Sequence, residues 1–371
     1  MKILLLAPVH AEKEFLQQKG KYPFLKGQGQ MGWVQAMEEL GQEVIILRYS
    51  DSVIIPNAVR VRFETFLRKH FLKLRIKWQH VQDRLYYLSI ENVLKNLKIK
   101  NLAYATKPDL LILSGGTFCI FPKTIQEIKE KLHIPVLLFS GVNPIYGAPP
   151  AEKKMVKKGI IDQVIINDEG FGKKWVRLGA KKVILLPVSA VDSSIYKKVF
   201  VTKEEKKAYA CDVCFIGSLT PDRQKKLLEL TDFNVKIWGN LPGTATLDDR
   251  LRPFYQGQAY GEKMVKIYNC AKIVLNIHAA EMKYGGNMRT FEIPATGAFQ
   301  LIDHVNYEWF VDGKEIVSFK NLVDLKKKIK YYLQHEKERN QIAERGYKKA
   351  LTAHTYKARF EKLFTLLKNE K

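Results

Sequence analysis

An α/β protein with two facing Rossmann-like domains is what this sequence predicts, and three observations lead there. Short apolar runs alternate with segments of helical pattern, the signature of a parallel sheet covered on both faces. The alternation pauses once, over 187–210, where the composition turns mixed and charged, and then restarts. The length of 371 residues exceeds one ordinary core and suits two. Two such halves are expected to enclose a deep cleft, with ligands at the carboxyl ends of the strands that face it.

The first half opens on an apolar run over 3–7. It looks superficially like a signal peptide, but it is short and runs into His10, Glu12, Lys13 and Glu14 with no small-residue cleavage site, so a buried first strand fits better. A helix over 33–40 ends at Gly41, and a strand follows over 43–47. After Lys107-Pro108-Asp109 come a strand over 110–113, a helix over 122–132, and strands over 136–139, 163–166 and 183–186. A helix over 169–178, closed by Gly179, separates the last two. In the second half, strands over 213–216, 235–238, 273–277 and 299–302 are joined by helices over 223–230 and 262–269. Helices over 321–333 and 355–367 complete it. The expected domains are 1–190 and 191–353, with a basic helical insertion near 60–100 and a terminal helix in 354–371.

Composition is that of a globular protein, with 46% hydrophobic and 27% charged residues. No apolar run reaches the roughly 20 residues that span a bilayer. Cys119, Cys211, Cys214 and Cys270 are too few to staple a large chain and fit a reducing, cytoplasmic setting. Cys211-Asp212-Val213-Cys214 has C-x-x-C spacing but lies in a strand pattern with no second pair at zinc-site distance.

The net charge of +24 attracts phosphates, whether on nucleic acid, anionic lipid or nucleotide. The excess is local: 60–100 holds 11 Lys/Arg against 3 Asp/Glu. Within it Phe63, Leu67, Phe71, Leu74, Trp78, Val81, Leu85 and Leu88 share one helical stripe, with the basic residues off it. Packing on the N-terminal domain is the simpler reading of the stripe. Attachment to the inner face of an anionic membrane is the other, and the basic flank suits an acidic or lipid-linked acceptor.

Three segments carry candidate chemistry. Gly27-Gln28-Gly29-Gln30-Met31-Gly32 has dinucleotide-fingerprint spacing and opens a helix, but it does not directly follow the first strand. What remains is a glycine-rich approach to a ligand at a helix start, to which Gly115 and Gly116 after the third strand add a second loop. Gly217-Ser218 then joins a strand to a helix that begins Pro221-Asp222-Arg223, so backbone amides and Arg223 can meet a phosphate. The densest segment runs from Asn276-Ile277-His278 through Gly285-Gly286 to Asn287-Met288-Arg289-Thr290-Phe291-Glu292. Asn287 reads as a helix N-cap, the amides of Met288 and Arg289 as phosphate donors, and Glu292 as a carboxylate for two ribose hydroxyls. That assignment requires Glu292 to face an opening.

Residues 286–303, with Tyr331-Tyr332-Leu333, Glu338-Arg339, Ile342-Ala343, Gly346 and His354-Thr355-Tyr356, resemble the C-terminal domain of CgeB-type (spore maturation protein-like) glycosyltransferases of the GT-B superfamily. The segments 212–223 and 267–278 are similar to the same family, while 1–190 matches only the general GT-B pattern. The resemblance implies a nucleotide-sugar donor in the C-terminal half and a last helix that crosses back to the N-terminal domain. It implies diphosphate contacts at Arg223 and Arg289, a ribose contact at Glu292, and a donor region that includes Trp238. Retaining members often carry a second glutamate seven residues earlier, where this chain has Tyr284, so retention or inversion is unassigned.

The expected reaction moves a sugar from a nucleoside-diphosphate donor to a glycan, lipid-linked or protein acceptor. Arg/Lys and helix amides can stabilise the leaving group without a metal, and no DxD-like acidic pair stands in a convincing loop. No tightly bound cofactor is expected. His278, His10 and Glu12 are candidate catalytic groups by their position at strand ends. A nucleotide-sugar epimerase and a non-catalytic sugar-nucleotide binder are the alternatives on this fold. A basic nucleic-acid-binding protein is a more distant one, since no recognised module accompanies the charge.

Overall fold

The apolar runs become strands because a parallel strand covered on both faces must be apolar along its whole length. The computed structural model describes residues 1–7, 29–48, 66, 90–115, 119–187, 189–242 and 245–369, without the side chains of 29–31. His10, Glu12, Gly27, Gly116 and every residue of the 63–88 stripe lie outside them. The chain divides into two units, Met1–Val188 and Ser189–Lys371. Both are α/β with parallel sheets.

In the first unit the elements are β1 (Lys2–Ala7), α1 (Gly29–Glu39), β2 (Glu43–Arg48), α2 (Ile90–Thr106), β3 (Leu110–Ser114) and α3 (Pro122–Leu132). They continue with β4 (Val136–Ser140), α4 (Pro150–Lys157), β5 (Gln163–Ile166), α5 (Glu169–Arg177) and β6 (Val183–Leu185). The strand order is β2-β1-β3-β4-β5-β6, every pair parallel. Leu4, Leu111 and Leu138 pack on one face with Ile99 of α2 and Ile125 of α3. Their neighbours Ile3, Leu5, Ile112 and Leu137 are equally closed from solvent, so both faces are covered.

The second unit holds α6 (Lys203–Tyr209), β7 (Cys211–Ile216), α7 (Pro221–Leu228), β8 (Val235–Trp238), α8 (Gly261–Cys270), β9 (Ala271–Asn276) and α9 (Met288–Ala295). Then come β10 (Gln300–Ile302), β11 (Val317–Ser318), α10 (Leu322–Gln334), α11 (Glu336–Ala353) and α12 (Tyr356–Lys368). Its order is β11-β10-β9-β7-β8, again all parallel. β7 lies between β8 and β9, so the chain leaves it in one direction and later returns on the other side. That is the topological switch point, where open α/β sheets leave a crevice for a ligand.

The loops after β7 and β8 cross closely. Gly217 N–H donates to Trp238 O at 3.1 Å, and Leu219 N–H to Asn240 O at 2.8 Å. Gly239 has φ +156°, and a Cβ there would stand 1.8 Å from Gly217 O, so only glycine fits. Cys211 and Cys214 are buried, unpaired residues of β7, as the strand pattern required. Four helices escape the sequence pattern: α2, α4, α6 and α11.

Candidate functional site

The strand ends at the second unit's switch point are joined by side chains that begin at the start of α9. Asn287 caps this helix, its Oδ1 accepting the Thr290 N–H at 3.0 Å, as expected. Its side chain also pairs reciprocally with Asn276 at the end of β9, Nδ2 to Oδ1 at 2.8 Å and back at 3.1 Å. The pair pins the helix start to the strand end. With the third-position amide capped, the N–H groups of Met288 and Arg289 are the open donors of the first turn. Both residues are half-buried. Open amides at the positive end of a helix favour an anion.

Arg223 works differently from the expectation. Its guanidinium donates to Ile277 O at 2.6 Å and to Ser218 O at 3.1 Å, joining the loops after β9 and β7. Burial lowers its pKa, with the nearby Asp303 charge opposing the shift. The group therefore clamps the two loops across the switch point rather than projecting into solution. Ser218 Oγ is half-buried and donates to Asn240 Oδ1 at 3.0 Å.

His278, expected as a catalytic group, is 2% exposed. Its Nδ1 faces Asp303 Oδ1 at 2.5 Å, its backbone N–H donates to Asp303 Oδ2 at 3.0 Å, and its Nε2 lies 3.2 Å from Thr290 Oγ1. Burial pushes the Asp303 carboxyl up, but the His278 and His304 hydrogen bonds outweigh it and hold it well below its ordinary value. With both nitrogens engaged and the ring covered, His278 does not meet a substrate here. His278, Asp303 and His304 are the one group of metal-ligand type among the described residues. The two imidazoles lie 4.0 Å apart, tilted by 31°, and both approach the one Asp303 carboxylate.

Glu292 requires the largest correction. It was expected to open onto a ligand, yet it is wholly buried. Its Oε2 accepts from Arg289 Nη1, and its neighbours Tyr196 and Tyr268 are buried too, with phenol pKa values pushed up first by burial. A charge in that position must be paired, and Arg289 supplies the pair while keeping 24% of its side chain exposed. Glu292 thus holds Arg289 and offers no surface to a ribose in this state. Trp238 is likewise core: 1% exposed, it packs edge-on against Tyr209 with ring centroids 6.4 Å apart.

In the first unit, Gly29 opens α1 and Gly32 is buried within it. Gly115 follows β3 directly, its N–H donating to Phe139 O at 2.9 Å. Thr290, Asp303 and Tyr196 are site residues that the sequence pattern does not single out. Asp303 had a readable signal, since it stands one residue beyond β10 at the same sheet edge as His278. Tyr196 had none, because it comes from the aperiodic 187–210 segment.

Comparison with known proteins agrees with this architecture. The family described as glycosyl transferase-like matches residues 223–365. The spore protein CgeB of Bacillus subtilis is 25% identical over 240 residues, which cover 60% of this chain and 72% of that protein. HepE of Anabaena, solved in complex with UDP and glucose, aligns over 100% of both chains with TM-score 0.65 and 13% identity. The UDP-GlcNAc 2-epimerase of Neisseria meningitidis, solved with UDP-GlcNAc, aligns over 99% of this chain and 100% of its own with TM-score 0.52 and 12% identity.

Proposed function

We propose that this chain, a CgeB-type protein of the GT-B fold, transfers a glycosyl group from a nucleoside-diphosphate sugar bound at the carboxyl edge of its C-terminal sheet. The observation that carries the reading is the start of α9. Two open amides and the Arg289 guanidinium stand together beside the switch point, on a helix end pinned by the Asn276–Asn287 pair. A departing diphosphate develops negative charge, and preorganised donors of this kind stabilise it without reorganising. Arg289, held by Glu292, supplies the formal charge. Gly217 and Ser218 belong to the loop that Arg223 clamps across the switch point.

HepE holds UDP and glucose in its crystals, so uridine donors come first in the test. Calorimetric titration with UDP-, GDP-, ADP- and TDP-sugars is expected to give saturable binding of at least one. Sugar release or transfer should then depend on an added acceptor. The likeness to an epimerase makes that the second reading. Conversion of the donor to its epimer with no acceptor present would establish it. Failure of every nucleotide to bind would overturn both.

The acceptor side is open to a membrane-borne substrate. Ile90, Val93, Leu94 and Leu97 of α2 follow one another at helical spacing and are 37–73% exposed, while Asn92, Lys95 and Asn96 are buried on the opposite side. Such a stripe on a strongly basic chain suits the interface of an anionic bilayer. No helix among the described residues is long and apolar enough to cross one. Salt-sensitive cosedimentation with anionic vesicles is expected, reduced in Val93→Asp/Leu97→Asp. Equal partition to neutral vesicles, or none, would remove the membrane from the scheme.

A further inference from the structure

His278 touches no solvent-borne substrate, yet its Nε2 leads through Thr290 to the start of α9. A carboxylate only accepts, so the Nδ1 that faces Asp303 Oδ1 carries a proton. The Nε2 of the neutral ring is then an acceptor, and the Thr290 hydroxyl at 3.2 Å donates to it. Thr290 is the residue whose N–H the Asn287 cap accepts. Its hydroxyl has a competing acceptor in that same cap oxygen, 3.3 Å away, which already receives Asn276 Nδ2. A hydroxyl drawn towards His278 leaves the cap oxygen to its two amide donors.

Building on the anion site argued above, we propose that Asp303 and His278 are positioning residues. Asp303 holds the ring as its Nδ1–H tautomer, and the ring accepts the Thr290 hydroxyl, tying the first turn of α9 to the loop after β9. The first turn of α9 thereby keeps its two open amides in the attitude that binds a diphosphate. The ring's charged or titratable neighbours are Asp303 and His304 from the loop after β10 and Arg223 from α7. Burial disfavours the imidazolium first, His304 and Arg223 reinforce that, and Asp303 opposes it, leaving the pKa below its ordinary value. The neutral ring that the relay needs is therefore the form the surroundings favour.

Two measurements on the full chain test this. Long-range nitrogen–proton NMR of the imidazole, assigned by its loss in His278→Gln, is expected to report an Nδ1–H ring in the wild type. Removal of the carboxylate in Asp303→Ala should shift the ring towards Nε2–H. Titration with UDP is expected to show affinity about tenfold weaker in Thr290→Val, which keeps side-chain shape and the capped N–H but loses the hydroxyl. Thr290→Ser should restore it to within about twofold, and thermal midpoints recorded alongside establish that each variant is folded. An Nε2–H ring in the wild type, or unchanged UDP affinity in a folded Thr290→Val, overturns the proposal. Failure of the wild type to bind UDP or any other nucleoside diphosphate overturns the donor site itself, whereas the tautomer is read without ligand.

Discussion

Arg289→Ala is expected to weaken nucleoside-diphosphate binding by about tenfold or more, about 1.4 kcal/mol, and to cost the fold about 3 kcal/mol besides. The two losses have different origins. Affinity falls because the formal positive charge at the start of α9 disappears. Stability falls because Glu292, with no exposed surface, loses the partner of its Oε2 and is left as a closed-in carboxylate. Its Oε1 makes no hydrogen bond of its own, and the Tyr196 phenol is the other polar group against the carboxylate. A second substitution separates the effects. Arg289→Ala/Glu292→Gln removes the orphaned charge and is expected to recover most of the stability while leaving UDP binding weak. Urea denaturation and calorimetry on wild type, both single variants and the double variant form a complete cycle. Additive stability losses would mean that the pair contributes nothing as a pair, and unchanged affinity in Arg289→Ala would remove the donor site from α9.

Acidification is expected to destabilise the chain through His354. Nε2 of this residue lies 2.7 Å from Trp309 O, and Nδ1 lies 2.6 Å from Arg359 Nη2. A carbonyl only accepts and a guanidinium only donates, so the ring is the neutral Nε2–H form with no room for a second proton. Burial first, and then the Arg359 charge, push its pKa from 6.5 down to about 3. Between those values the unfolded chain binds the proton and the folded chain does not. The contribution is therefore complete above pH 6.5 and is lost progressively as pH falls towards 3, by up to about 1.4 kcal/mol per unit. His354→Asn keeps one donor and one acceptor without titrating, and between pH 7 and pH 5 it is expected to lose less stability than the wild type, by about 1–2 kcal/mol. Parallel losses in the two proteins would show that His354 is protonated without penalty.

The strands were the most legible part of the fold. The runs over 110–113, 136–139 and 163–166 are apolar at almost every position because helices cover both faces of the sheet, and β3, β4 and β5 lie where those runs lie. α2 escaped because it reverses the amphipathic rule, burying Asn92, Lys95 and Asn96 while exposing Ile90, Val93, Leu94 and Leu97. Asn96 explains part of that reversal, its amide bonding Cys119 O at 2.9 Å and its Oδ1 accepting the Phe121 N–H at 2.9 Å. α6 buries no residue and so leaves no apolar trace. α11 is rich in charge and has Gly346 inside it, a residue that ordinarily argues against a helix. There the Glu315 carbonyl passes so near that a Cβ would stand 2.3 Å from it.

At the site, local chemistry was legible and orientation was not. The Asn287 cap follows from a side chain and the backbone three residues on, so sequence spacing suffices. Glu292 follows from which face of α9 meets the core, and Tyr196, which closes over it, comes from nearly a hundred positions upstream. Trp238 and His278 stand at the strand ends where the pattern puts them, yet side-chain packing turns both away from solvent.

The strand order of the second unit has a bearing on how the chain comes off the ribosome. β7 is the first strand of that unit to emerge but lies between neighbours, and Cys211 finds its register partner only when Ala271 has been made. Until then β7 carries one open edge of apolar, β-prone sequence with only β8 to cover the other. Synthesis through β9 is therefore the earliest point at which this sheet can close around its middle, and a pause placed before it would expose the nascent chain to misassociation.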